Sequence, residues 1–593
     1  MLNRLLPLVG TVCAAVGLLV SPAAAKKPSL IGRRVDDFTL RDFRGKKHSL
    51  SQYDDRTLVV IAVMGIECPL VKLYTPRLVA LSEKFRDRGV AFLGLNSNYQ
   101  DTPTEMLAHA ERYGVNFPIL KDPGNRIADR LGARRTPEVF VLDADRIVRY
   151  HGRVDDQYGV GYSKPKVGRE DLAVALGELL GGKAVSRPET DAPGCLIGRV
   201  RRIEPKGDIT YTNQVSRIFN RHCVECHRDK ELAPFALTTY EEVVGWAETI
   251  REVINQGRMP PWFAANEFGH FANNVSMRAE EIRLINQWVD NGTPEGDRSK
   301  LPAPPSFTTG WRIREPDAVY RMPKPFAVPA EGVVDYQYFM IDPGLKQDVW
   351  IQSAEARPGN SAVVHHIVLY ATPPGVEVQN DGRGGGGVFG QMVAIYAPGM
   401  PPWRYPEGTA MRVRAGSKLV VQMHYTPNGT EQTDQSYVGV TFADPAKVHK
   451  RVRTGMALDF RFSIPPHDND HEVLASTRFH RDTLLLSLFP HMHYRGKSFR
   501  FVAQYPDGTE EVLLDVPKYD FNWQLRYDLA EPKLMPKGTR LRCIAHFDNS
   551  EDNPLNPDPD RTVRFGLQSW EEMMVGYFTM VRADENLAVR RGR

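Results

Sequence analysis

The chain has 593 residues, 42% of them hydrophobic and 25% charged, an ordinary globular make-up long enough for about three or four domains with full-sized cores. Its net charge of +4 is small and is gathered into no basic run, which argues against nucleic acid as a partner. Beyond the N-terminus no apolar run approaches the ~18 residues of a membrane span, so no integral membrane segment is expected in the mature protein.

Residues 1–25 read as an export signal. Arg4 supplies the positive start, an apolar run follows through Leu18, Leu19 and Val20, and Ala23-Ala24-Ala25 offers small residues for cleavage before Lys26. A signal left in place would be an N-terminal anchor, while Cys13 lacks the small-residue context of a lipid-modified cysteine. Without Cys13, five of the six cysteines remain.

Residues 30–182 alternate strand and helix. Thr57 to Val63 is a continuous apolar run of the kind buried on both faces of a sheet, and it ends at Gly65-Ile66-Glu67-Cys68-Pro69. Val71, Tyr74, Leu78, Leu81 and Phe85 then recur at helical spacing, which puts Cys68 at a helix N-terminus, where a thiol pKa is lowered. Strands follow at Val90–Leu95 and Pro137–Leu142. This α/β layout, with Cys68 at the strand-to-helix junction and Thr136-Pro137 opening a later strand, resembles the thioredoxin and redoxin families. The resemblance implies a redox-active Cys68 and a cis-proline loop. Two departures count against the usual chemistry: Val71 stands where a dithiol site has its second cysteine, and Gly65 where peroxiredoxins carry Thr or Ser. A thiol-dependent peroxidase is therefore the weakest reading. Cys195, in the Gly- and Pro-bounded connector 183–207, is a possible redox partner for Cys68; a static disulfide or two unpaired thiols are the alternatives.

Residues 208–297 contain Cys223-Val224-Glu225-Cys226-His227, a c-type haem attachment signal in which two thiols form thioethers and the histidine lies under the iron. A zinc ribbon would need a second cysteine pair, and a dithiol site has no use for the trailing histidine. Because haem is attached to such sites outside the cytoplasm, a bacterial periplasm is the expected location. A helix through Val215, Ile218 and Phe219 before the motif and a closing helix at Glu281–Val289 resemble small all-α class I cytochromes c. Met259, on the proline-stiffened Gly257-Arg258-Met259-Pro260-Pro261-Trp262 loop, is the expected sixth ligand, with Met277 and His270 in reserve.

A proline-rich linker, 298–315, leads into short alternating runs broken by Gly, Pro, Asn and Asp, which predict two all-β, jelly-roll-like sandwiches over 316–460 and 461–585. Three apolar runs there carry histidines: His365-His366, His424, and His491-Met492-His493. Residues two apart on a strand share a face, so His491 and His493 can reach one ion; adjacent His365 and His366 need a bulge to do so. This grouping resembles the copper type II, ascorbate-dependent monooxygenases, the family of the peptidylglycine hydroxylating and dopamine beta enzymes. The resemblance implies two copper ions: His365, His366 and His424 would hold the electron-donating one, and His491, His493 and Met573 the oxygen-binding one, with Met574 as a register-shifted alternative to Met573. Tyr577 stands where the family has a substrate tyrosine. Phe489 and Val575 replace the arginine and asparagine that the peptide-amidating members use, so their peptide substrate does not carry over. The family's disulfide partner of Cys543 falls on Met574, so Cys543 is expected unpaired and buried.

Together these readings imply an exported copper-dependent monooxygenase that hydroxylates an unknown small-molecule or peptide substrate with O2. Its electrons would be relayed through the fused haem from ascorbate or another one-electron donor, with an accessory thiol-redox domain. The competing reading is a non-oxygenating periplasmic electron-transfer, copper-handling or thiol-disulfide protein.

Overall fold

The computed structural model describes residues 29–164, 166–199, 203–229, 231–376 and 390–587. The expected signal, residues 1–25, lies outside them. Among the described residues no helix is long and apolar enough to cross a membrane.

The N-terminal domain is a seven-stranded sheet flanked by helices. Its strands are β1 (Thr39–Asp42), β2 (Lys47–Ser49), β3 (Leu58–Val63), β4 (Val90–Asn96), β5 (Ile119–Lys121), β6 (Glu138–Leu142) and β7 (Val148–Gly152), in the order β2-β1-β5-β4-β3-β6-β7. The apolar run predicted as a central strand is β3, buried along its whole length, parallel to β4 and antiparallel to β6. Helix α1 (Pro69–Arg86) starts directly after Cys68, its N-cap, and buries Val71, Tyr74, Leu78, Leu81 and Phe85 on one face. Helices α2 (Pro103–Arg112), α3 (Arg126–Leu131) and α4 (Asp171–Leu180) complete the layers. The Thr136-Pro137 peptide is cis. The connector is not free chain: Cys195–Leu196 adds a short antiparallel strand to Arg135–Thr136, with Cys195 opposite Thr136.

A small helical domain follows, with α5 (Ser216–His222), α6 (Tyr240–Asn255) and α7 (Ala279–Asp290). Its core is built on Phe219, Trp246 and Trp288, and Cys223 packs against it. Thr239 caps α6, its hydroxyl accepting from the Glu242 N–H while Glu242 accepts from the Thr239 N–H, a reciprocal pair that fixes where the helix begins.

The remainder is all β. Strands β8 (Ala318–Arg321), β9 (Gln337–Ile341), β10 (Val349–Arg357), β11 (Val364–Ala371), β12 (Gln391–Tyr396), β13 (Thr409–Val413), β14 (Leu419–Tyr425) and β15 (Tyr437–Phe442) form its first half. The second half has β16 (Lys450–Asp459), β17 (His471–Arg478), β18 (Thr483–His491), β19 (Gly496–Gln504), β20 (Glu510–Val516), β21 (Tyr527–Met535), β22 (Arg540–Phe547) and β23 (Met574–Arg582). One nine-stranded sheet runs through both halves as β8-β15-β10-β13-β16-β23-β18-β21, with Trp403–Arg404 paired to β10 off this path. Its continuity depends on β16, which pairs parallel with β13 and antiparallel with β23. Four-stranded sheets β9-β14-β11-β12 and β17-β22-β19-β20 each pack on one half of it, enclosing separate apolar cores. Sharing a strand fixes the two halves to each other, and the histidines lie where they meet.

Candidate functional site

The first three histidines come from two neighbouring strands. Between β11 and β14 the register steps from Val364↔Tyr425 to His366↔His424, leaving His365 as the extra residue of a bulge. A bulge re-aims one side chain, and here it turns His365 to the same side as His366. The rings of His365, His366 and His424 are 4.7 to 5.5 Å apart, and one nitrogen from each lies within 4.8 Å of the others. His365 Nδ1 and His366 Nδ1 approach to 3.3 Å, while His365 Nε2 and His424 Nδ1 are buried with no hydrogen-bond partner. Buried polar atoms left unpaired in this way need a ligand to repay their desolvation. Burial holds His365 at a pKa of about 4, and burial followed by the neighbouring imidazoles holds His366 and His424 well below the ordinary value. All three are therefore neutral at pH 7, the state in which imidazole ligates a metal.

His491 ends β18 opposite Val575, and His493 follows it fully buried, the two rings 5.3 Å apart. The turn that carries them is held from below. The Glu572 carboxylate accepts the backbone N–H groups of His493 at 2.9 Å, Arg495 at 2.6 Å and Met573 at 3.1 Å. Arg495, itself fully buried, donates to Asn549 and to the Trp570 carbonyl. His491 Nδ1 donates to Gln524 Oε1 at 2.7 Å, which leaves its Nε2 as an unprotonated nitrogen with a free lone pair. Burial again holds His491 at a pKa of about 4 and His493 well below the ordinary value.

Strand alternation separates the two methionines. Met574 is fully buried in the core of the second half, whereas Met573 is half-buried and alternates with Val575 and Tyr577 on the face carrying His491. The Tyr577 ring is 6.2 Å from that of His491 and opens on a cavity of about 350 Å³ lined by Tyr370, Met392, Thr454 and Met456. Phe521 stands between the two histidine groups, stacked on His365 at 5.0 Å and edge-on to His493 at 6.4 Å. Tyr336 packs against His366 and His424 and hydrogen-bonds Ser569, a few residues before Glu572. Gln524, Phe521 and Tyr336 carry no signal in the sequence: each comes from a loop or strand edge with no motif around it. Cys543 is buried and unpaired.

The thiol site is equally specific. Cys68 is fully buried and donates to the Thr136 carbonyl at 3.1 Å. Cys195, placed by its pairing with Thr136, brings its thiol to the Cys68 sulfur, and both cysteines are free. Burial opposes a Cys68 thiolate, but the Cys195 thiol and the backbone N–H groups of Cys195, Val71 and Leu70 outweigh it and lower the pKa. The hydrogen bond to Cys68, with burial, drives Cys195 the other way. The two sulfurs thus sit side by side, with the Cys68 thiol the more readily ionised, as disulfide exchange requires. A peroxidatic threonine has no room at residue 65, where a Cβ would lie 2.3 Å from Asn98 and 2.9 Å from Thr136.

In the helical domain Cys223, Cys226 and His227 follow α5 directly, and His227 Nδ1 hydrogen-bonds the Phe235 carbonyl at 3.1 Å, turning Nε2 outward. Met259 lies half-buried on the turn after α6, and Met277 packs on the core that carries Cys223. His270 is exposed, and its neighbour Phe271 bridges to Leu529 of the β half.

Residues 31–151 match the AhpC/TSA family. That part of the chain is a thioredoxin-like redoxin domain. It is similar to the thiol:disulfide interchange protein DsbE of Allochromatium vinosum, 28% identical over 159 residues, which are 26% of this chain and 83% of that one. It is also similar to the thiol-disulfide oxidoreductase ResA of Halalkalibacterium halodurans, 26% identical over 20% of this chain and 67% of that protein. A crystal structure of a hypothetical protein from Sinorhizobium meliloti matches 29% of the chain and 96% of its own at 30% identity, with a TM-score of 0.27. The family match and the likeness to the DsbE and ResA proteins support an oxidoreductase of the thiol-disulfide type in this domain.

Proposed function

We propose that the chain is an exported oxidoreductase in which a copper-dependent monooxygenase unit, a covalent c-type haem and the redoxin domain share one polypeptide. The observation that carries this reading is the histidine centre: five neutral imidazoles from both halves of the β region, three buried and two half-buried, one of them delivered by a bulge, with buried ring nitrogens left unpaired. The donor set fits copper, because imidazole with a thioether suits an ion cycling through Cu(I). His365, His366 and His424 would hold one ion, and His491, His493 and Met573 the other; copper there supplies one-electron cycling and the activation of O2 toward a C–H bond. The protein's own part is positional. Gln524 holds His491 in one tautomer, Glu572 fixes the turn at His493, Phe521 keeps water from between the two groups, and Tyr577 with its cavity orients the substrate. The cavity's lining is mixed, Tyr370, Met392 and Met456 on one hand and Arg451 and Arg453 on the other, which suits a substrate with an apolar body and an anionic or polar end.

Haem fits the helical domain by the same test. Cys223 and Cys226 are unpaired thiols on one turn, and the hydrogen bond from His227 Nδ1 to the Phe235 carbonyl leaves Nε2 free; Cys223, Cys226 and His227, with Met259 or else Met277, would hold a haem that supplies one-electron transfer. Electrons would arrive from ascorbate or another one-electron donor. The similarity to extracytoplasmic-type thiol-disulfide proteins supports a periplasmic location.

The deciding experiment is the copper-to-iron ratio of protein matured with haem in a bacterial periplasm and reconstituted with copper. Two coppers per iron are expected; iron without tight copper would overturn the monooxygenase. A second reading, a non-oxygenating electron-transfer and thiol-disulfide protein, is favoured by the Cys68–Cys195 arrangement and by the redoxin match. It predicts substrate-independent thiol chemistry and no O2 consumption.

A further inference from the structure

The Cys68–Cys195 pair does not face open solvent. Cys68 is 0% exposed, and Cys195 packs at once on the redoxin core and on the helical core that also carries Cys223. Dithiols that exchange with outside proteins need an accessible sulfur; here the face beside the pair is covered by α6. The cover is clamped. Arg135 donates to Glu252 of α6 at 2.8 Å, and Arg258 binds the other oxygen of the same carboxylate at 2.9 Å. The backbones also meet closely, since a Cβ on Gly198 would lie 2.6 Å from the Gly245 carbonyl of α6.

From the pair to the haem motif the contacts are continuous. Cys195 packs on the helical core that contains Trp246 of α6, and Glu67, which adjoins Cys68, lies beside the Trp246 indole. Trp246 stacks on Phe235 with ring centres 4.0 Å apart and planes 13° from parallel. The Phe235 ring is 4.8 Å from that of His227, and its carbonyl accepts from His227 Nδ1.

We propose that the Cys68–Cys195 dithiol is an internal electron source for the helical domain, linked through Glu67, Trp246 and Phe235 to a haem at Cys223, Cys226 and His227. The inference rests on the haem reading above. In the step, the Cys68 and Cys195 thiols join in a disulfide and release two electrons and two protons. The electrons reduce ferric haem to ferrous one at a time, the first passing on before the second arrives. The protons leave past the partly buried Cys195, whose narrow opening admits a low-molecular-weight external thiol, but not a protein, to reopen the disulfide later.

The test uses the full-length, haem-loaded, copper-free protein, reduced and freed of reductant under argon, then mixed with two equivalents of ferricyanide. The expected result is a transient ferric spectrum that returns to ferrous, with both thiols lost to alkylation at the end. Cys195→Ser should remain ferric with the remaining thiol of the pair still alkylatable. Phe235→Ala should slow the return several-fold while keeping covalent haem. Trp246→Phe, which preserves the stack, should slow it less. Wild-type protein that stays ferric with both thiols intact overturns the inference and leaves the haem reading standing. Absence of covalently bound haem by mass and absorbance overturns both.

Discussion

In the redoxin domain the reactive group is presented by contiguous chain, one strand running into one helix at Cys68, whereas the histidine centre draws on strands from both halves of the β region. The first arrangement is set by local chemistry: a buried β3, a tight approach at Gly65, and helix N–H groups aimed at a sulfur. The second exists only after β16 has joined the halves, so its geometry depends on pairings between residues far apart in sequence.

The largest expected effect comes from removing one histidine of each group. Under the proposed function, His424→Ala and His493→Ala should each lower bound copper from two ions to one per chain, and the double variant should bind none, as metal analysis and copper EPR would read. Loss of both ions on a single substitution would show that the groups are one centre and not two. Met573→Leu against Met574→Leu sharpens the contrast further. Met573→Leu should abolish O2 consumption and leave stability and the haem spectrum unchanged. Met574→Leu, a volume-conserving change in a sealed core, should cost less than about 1.5 kcal/mol in denaturant midpoint and spare activity. The reverse pattern would move the thioether ligand to Met574.

Much of this was legible from the sequence. The run before Cys68 reads as a buried strand because six successive apolar residues leave no polar face, and the periodicity after it gives α1. The histidines could be nominated from their apolar settings, but period-two alternation alone turns His365 away from His366; only the slip against β14 brings them together. Gln524 was illegible for a related reason, since it reaches His491 from a loop after β20 whose path depends on packing. Cys195 lay in between. Its candidacy came from counting cysteines, and its place beside Cys68 from a two-residue strand too short to show in any pattern.

In the redoxin domain, Gly65→Thr installs the hydroxyl that peroxiredoxins carry at that point and tests whether the local frame can accept it. The Cβ would meet Asn98 and Thr136, so a loss of about 1–3 kcal/mol is expected from urea unfolding, with no gain of peroxidase activity. A stable variant that reduces peroxide would mean that the frame is looser than its packing indicates.

The smallest expected effect belongs to Glu67, at the contact between the redoxin and helical domains. Burial, then Asp101, raises its pKa to about 7, against 4.5 for an ordinary glutamate. Between those values the unfolded chain has released the proton and the folded chain has kept it, so the folded state binds more protons and stability falls as pH rises through this window. Below it both states are protonated and the cost is absent; above it the full cost persists. Partial exposure limits the effect to roughly 1–2 kcal/mol. Glu67→Gln removes the titration while keeping an acceptor for the Trp246 indole. The stability difference between Glu67→Gln and wild type should therefore widen in favour of the variant from pH 4.5 to 7 and then stay flat. A difference that does not change with pH would place the Glu67 carboxyl in water, away from the Trp246 indole.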